Sequence, residues 1–318
     1  MTNKERYLQF CEQEKEIPVF VRPWYLDATC QSEDELWDVL LLEENGKIIA
    51  TWPYLIKQKY GLRFSVVPKL TKFMGPYIIA KKRFPKQAHK ICKELIKQFP
   101  KVGFFHQNFH YKFTDWLPFY WEGFEQSTRY SYVLENLQNL DQVYNNFSSD
   151  YRNNKIRKAQ QNIKIVSDKS IEAFFEVAMM SFQRQNIPLP FSLDFFKEYD
   201  AAIVKNKARK LFFAIDNQNQ IHSVVYLLFD HDRAYYHLAG DNPDLRGSGA
   251  SILLVWEAIK YTRNELGLNI FDFEGSMIKP IERVRRQFGA VQQPYFEIKK
   301  YNSSLFKILE WIKNFKKR

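Results

Sequence analysis

An internal repeat restricts this chain more than any other feature of its sequence. In the first half, apolar alternation near residues 24–26 leads to an acidic stretch, 32–42, with helical patterning. Asn45-Gly46, a two-residue hairpin signal, joins an apolar run at 37–42 to another at 48–57, and a third run, 62–67, follows Gly61. A helix is expected at 86–99, where Ala88, Ile91, Cys92, Leu95 and Ile96 keep helical spacing as far as Pro100. Strands at 102–106 and, past Gly123, at 128–134 complete the series. The second half runs in step: a helix at 171–186, strands at 211–215, 221–229 and 234–238, a loop at 240–249, a helix at 250–266 and a strand at 269–273. Its last strand, 295–299, lies beyond Gly289. Two copies of one α/β (α+β) unit with mixed sheets are the economical fold. The lobes are expected at 1–160 and 161–318, joined by the basic helical stretch 150–162.

Composition narrows the function. With 45% hydrophobic and 26% charged residues, the chain is globular rather than disordered. The charged opening residues do not resemble a signal peptide, and the longest apolar runs, 224–229 and 252–256, are too short to cross a bilayer. A cytoplasmic location is therefore expected. Cys11, Cys30 and Cys92 are odd in number and lack CxxC pairing, and His106 and His110 have no third ligand nearby, so neither disulfide nor metal is expected. The net charge of +11 is gathered at 152–158, 279–286 and 313–318, which favours an anionic partner.

Two motifs carry chemistry. In DLRGSGASILLVWEAI, Arg246, Gly247 and Gly249 form a turn that opens a helix, where backbone N–H groups can approach a phosphate; the alternative is a simple helix start with Ser248 as N-cap. In FDFEGSMIKPIERVRRQFGA, Asp272 and Glu274 alternate with Phe271 and Phe273, so both acids are expected on one face of a strand end, where Glu274 could take a proton from an attacking amine. Lys279, Arg283, Arg285 and Arg286 follow as candidate phosphate-binding residues, or as partners of those acids in an internal ion-pair network. On the preceding strand and loop, His237 and Asp241 are further candidate bases; His237 could equally be a satisfied core residue. The aromatic stretch 104–124 is read as core packing before a sugar or peptide groove. The C-terminal basic amphipathic helix, with Leu305, Ile308, Leu309 and Ile312 on one side, either docks on the first lobe, the preferred reading, or rests on anionic membrane.

The order DFEGS, VRRQFG and a Tyr-containing strand, together with TRYSYVLEN followed by NKIRKAQQN, resembles the Fem (FemABX) family, aminoacyltransferases that build peptidoglycan cross-bridges on two tandem acetyltransferase-like (GNAT) lobes. The resemblance implies such lobes without the helical arm of some members. It also implies an aminoacyl-tRNA donor, a cell-wall precursor as amine acceptor, and Arg285 at the position of a family lysine that contacts substrate phosphate. Arg246 and Gly249 fit the GNAT phosphate-binding pattern, but Ser251 stands where Gly or Ala is expected. An acyl-coenzyme A-dependent N-acyltransferase and a non-catalytic nucleic-acid-binding protein are the rival expectations. No cofactor is required beyond the donor substrate.

Overall fold

The computed structural model describes residues 1–32, 34–184 and 187–315. They form two compact units, Met1–Arg129 with Pro294–Arg318, and Tyr130–Gln293. The basic stretch 150–162 lies inside the second of these.

In the first unit β1 (Glu35–Glu44) and β2 (Lys47–Lys59) form an antiparallel hairpin. Asn45 and Gly46 take φ of 52° and 73°, the two positive values that a tight turn between right-twisted strands requires. The helical patterning of 32–42 is overruled: Trp37 and Val39 are buried on one side of β1, and pairing with β2 holds the segment extended. β3 (Leu62–Ser65) pairs antiparallel with β2, and β4 (Tyr77–Ile78) takes over the same edge at Ala50 and Thr51. After the helix Pro85–Gln98, β5 (Phe104–Asn108) lies parallel to β3. The neighbour of β5 on its other side is the chain's last strand, Glu297 to Tyr301 running antiparallel to Asn108 to Phe104.

Trp52 anchors this unit. It is fully buried, donates Nε1–H to Gln107 Oε1 at 2.8 Å, and meets the rings of Phe99, Phe105, Phe109 and Phe119. Much of the aromatic stretch after residue 103 is therefore core, as expected, although Leu117, Tyr120 and Trp121 are exposed. In the C-terminal helix Ser304–Phe315, Phe306 stacks on Phe104 and meets Phe64 at a tilt, while Leu305, Ile308 and Leu309 remain exposed. The side chain of Ile312 and residues 316–318 lie outside the described set.

The second unit begins within β6 (Glu125–Leu134), at Tyr130, and Val133 and Leu134 pair with a later strand. β7 (Lys164–Val166), β8 (Arg209–Ile215), β9 (Ile221–Phe229) and β10 (Ala234–Asp241) are successive antiparallel neighbours. The helix Ala250–Asn264 packs Leu253, Leu254, Ala258 and Ile259 into the core beside this sheet, and β11 (Phe271–Asp272) then lies parallel to β10 and antiparallel to β6. The helix expected at 171–186 is present as Ile171–Arg184; residues 185 and 186 lie outside the described set.

The repeat is thus real from its first strand to its fifth element: β1-β2-β3-helix-β5 matches β8-β9-β10-helix-β11. Its last member is exchanged. The strand that follows β5 in sequence completes the second unit beside β11, and the strand that follows β11 completes the first beside β5. Local patterning fixes that a segment is extended but not which sheet edge it joins.

All three cysteines are free thiols. Burial pushes each of them up to about 12, so they stay protonated. Among the described residues no helix is long and apolar enough to cross a membrane, and no three His, Cys, Asp or Glu side chains cluster as metal ligands.

Candidate active site

In the second unit β10 and β11 pair only at Ala234–Phe271 and Tyr235–Asp272, and then part. β10 continues to Asp241 against β9. The chain beyond β11 turns away: Glu274 and Gly275 both adopt left-handed backbone, with φ of 54° and 73°. Asp272, fully buried, holds this turn by accepting hydrogen bonds from Glu274 N–H and Ser131 Oγ–H, with Arg233 Nη1 3.7 Å away. Only Gly fits at 275, where an added Cβ would lie 2.2 Å from the Tyr130 carbonyl oxygen.

A bulge in β10 faces this turn. Tyr236 is opposite Leu227 and Leu238 opposite Tyr226, so His237 is an extra residue with no partner on β9. Such a bulge re-aims a side chain out of the alternating pattern. His237 Nδ1 lies 2.8 Å from Glu274 Oε1 and Nε2 lies 3.1 Å from the Tyr199 hydroxyl, which comes from the helix Leu193–Lys205. Beside them, Asp200 accepts two hydrogen bonds from Arg209 and one from Tyr226, all at 2.9 Å. Burial, with Tyr199 and Asp200 nearby, raises the Tyr226 phenol well above its ordinary value, so it remains a donor.

Of the sequence candidates, the fold brings Glu274 and His237 into contact. His237 is neither solitary nor packed only by apolar groups. Asp241 is held separately, by the Ser223 hydroxyl at 2.7 Å. The expectation that Asp272 and Glu274 alternate on one strand face fails, because the strand ends at Asp272 and Glu274 is left-handed. The loop at 240–249 is instead the end of β10 followed by a 3₁₀ turn, Pro243–Ser248. Gly249, at φ 80°, is the N-cap of the next helix, and a Cβ there would lie 2.4 Å from the Lys155 carbonyl oxygen. Ser248 stands one residue before the N-cap: its hydroxyl accepts from Ala250 N–H at 3.3 Å and lies 3.0 Å from His222 Nδ1, and His222 Nε2 lies 3.2 Å from Asp216. Arg246 and Gly247 are exposed on this turn, and Lys158 donates to the Gly247 carbonyl.

The basic cluster sits on a helix, Lys279–Gln287, with Pro280 in its first turn. Lys279, Arg283 and Arg286 are exposed, and Arg286 pairs with Glu282 one turn back. Arg285 turns inward over the rings of Tyr236, at 4.4 Å, and Phe273, at 5.1 Å. These two residues precede His237 and Glu274, and the Arg285 Nε is buried without a hydrogen-bond partner. The ion-pair network considered between these arginines and Asp272 or Glu274 does not form: Asp272 faces Arg233 and Glu274 faces His237.

Tyr199, Asp200, Tyr226 and Arg209 were not singled out in the sequence. One signal was available: Phe196, Tyr199, Asp200 and Ile203 follow i, i+3, i+4, i+7 spacing, which places an acid inside an apolar stripe.

Residues 149–280 match the family model of an acetyltransferase (GNAT) domain, so the turn, the bulge and Glu274 all lie within that domain. The fold of FemX is similar at 13% identity and a TM-score of 0.73, covering 98% of this chain and 99% of that one. A tandem GNAT protein from the clavulanic acid biosynthesis pathway is similar at 8% identity and a TM-score of 0.55, covering 94% of each chain. The C-terminal domain of a lysylphosphatidylglycerol synthetase from Agrobacterium fabrum follows at 11% identity and 0.56, covering 95% and 92%. None of the curated proteins matches the chain. The chain therefore has the two-lobed GNAT fold of FemX, and its domain match supports acyl transfer as the general chemistry.

Proposed function

We propose that the protein transfers an aminoacyl group from an aminoacyl-tRNA to an amine of a cell-wall precursor. The observation that carries this reading is the Glu274–His237 contact at the point where β10 and β11 part, inside the residues that match the acetyltransferase family. The Fem resemblance and the course shared with FemX favour an aminoacyl over an acetyl group.

Parting strands leave main-chain N–H groups without strand partners, and such groups can stabilise the oxyanion of a tetrahedral intermediate. Glu274 takes the proton of the acceptor amine as the new C–N bond forms and passes it to the ribose oxygen as the ester C–O bond to the tRNA breaks. An ionised Glu274 can only accept, so a neutral His237 that orients it carries its proton on Nδ1 and takes the Tyr199 hydroxyl as donor at Nε2. Asp241, oriented by Ser223, is a second carboxylate, at the end of the strand that carries His237. The exposed Arg246 on its turn and the exposed Lys279, Arg283 and Arg286 supply the positive surface for the donor's phosphates, with Arg285 behind them against Tyr236 and Phe273.

The test is transfer by the purified protein from charged tRNA and, separately, from acyl-coenzyme A to amine acceptors. Glu274→Gln should lower turnover by about 10²–10⁴-fold with donor binding retained. Turnover of the coenzyme A donor alone would replace the tRNA assignment with the N-acyltransferase reading. RNA binding with no transfer from either donor would overturn the catalytic reading.

A further inference from the structure

The first unit holds a cavity that the transfer chemistry leaves unused. Its volume is about 270 Å³, and its floor is apolar and buried: Val21, Phe73, Met74, Ile78 and Cys92. An apolar void of roughly 150 Å³ already accepts benzene, so this one has room for a length of hydrocarbon. The polar side chains at the rim are held by one another. Arg83 pairs with Glu16 at 2.6 Å, and His89 pairs with Asp115 at 2.6 Å. An uncharged tail passes between these pairs without disturbing either, whereas a charged group would be drawn to the rim, where Lys112 also stands.

The surroundings of that rim are unlike ordinary protein surface. Phe84, next to Arg83 and at the N-cap of the helix Pro85–Gln98, is 72% exposed. Trp121, whose ring lies 5.3 Å from that of His89, is 62% exposed, and its neighbour Tyr120 is 59% exposed. Leu117, whose N–H is bonded to Asp115, is 45% exposed. From the same helix Lys86, Lys90 and Lys93 reach solvent. Exposed Trp, Tyr and Phe among lysines match the level of lipid headgroups, where the rings partition and the lysines meet anionic phosphates.

We propose that this face docks on anionic membrane and that the cavity takes one acyl chain of an anionic phospholipid, its headgroup left outside among the lysines. This does not rest on the transfer reading, since every residue involved belongs to the first unit.

The full chain would be sedimented with vesicles of phosphatidylglycerol and phosphatidylcholine, and with vesicles of phosphatidylcholine alone. Protein recovered from the pellet would be analysed for retained lipid by mass spectrometry. The expected result is at least about tenfold preference for the anionic vesicles, lowered by salt, with phosphatidylglycerol retained by the protein. Phe84→Glu with Trp121→Glu, both at exposed positions, should abolish the partitioning. Ala88→Trp, which fills the cavity, should leave partitioning in place and remove the retained lipid; circular dichroism would establish that each variant is folded. Equal binding to both vesicle types, or partitioning unchanged in the double variant, would overturn the membrane face. Retention of lipid by folded Ala88→Trp would overturn the acyl-chain site.

Discussion

Glu274 adopts a left-handed conformation that costs a residue with a Cβ on the order of 1–2 kcal/mol. The strain is held by its neighbours, a buried acid two residues before and a glycine one residue after. Gly275→Ala should therefore destabilise the second unit by about 1–3 kcal/mol, read as a lower denaturant midpoint, because the Tyr130 carbonyl stands where the methyl would go. A different residue governs the acid limb. Hydrogen bonding from His106, then from Ser127, lowers the Glu297 carboxyl to about 2. Its stabilisation is complete above the ordinary carboxylate value and is lost as pH falls from there towards about 2. Glu297→Gln should flatten the dependence of the unfolding midpoint on pH in that window. Glu274 and His237 were both legible as candidate residues, but their contact was not. A two-residue period cannot foresee a bulge at His237 or a strand that ends at Asp272, and Tyr199 comes from a helix, Leu193–Lys205, absent from the sequence reading.

The helix Lys279–Gln287 does two jobs with residues adjacent in sequence. Arg283 and Arg286 point to solvent, while Arg285 is turned against Tyr236 and Phe273. A planar guanidinium can stack on both rings, and an ammonium cannot. Arg285→Lys should thus lower stability by about 0.5–2 kcal/mol, checked by thermal melting, and Lys would restore charge without restoring the stack. The basic cluster was evident from the sequence; its division into an outward and an inward set was not, because no helix was expected between the strand at 269–273 and Gly289. Pro280 was the available clue, since Pro commonly opens a helix. At 32–42 the opposite occurred, and helical spacing gave way to the Asn45-Gly46 turn and its partner strand.

At the scale of the whole chain, the five-element repeat was readable and the exchange of its last strands was not. The exchange makes the first unit depend on residues far away in sequence. A chain ending at Gln293 should leave Phe104–Asn108 without its neighbour and remove the buried Ile298 from the Trp52 core. Limited proteolysis should then degrade residues 1–129 while a fragment corresponding to 130–293 persists. The same dependence sets an order on the ribosome. A domain at the N-terminus ordinarily folds first as it emerges, at roughly 5–20 residues per second. Here the unit begun first closes after the second: its sheet stays open at one edge while residues 130–293 are being synthesised, and it is completed only when Glu297–Tyr301 emerges. During that interval β5, paired only with β3, offers its other edge to any strand that reaches it, so the early unit is the one that gains most from chaperone protection.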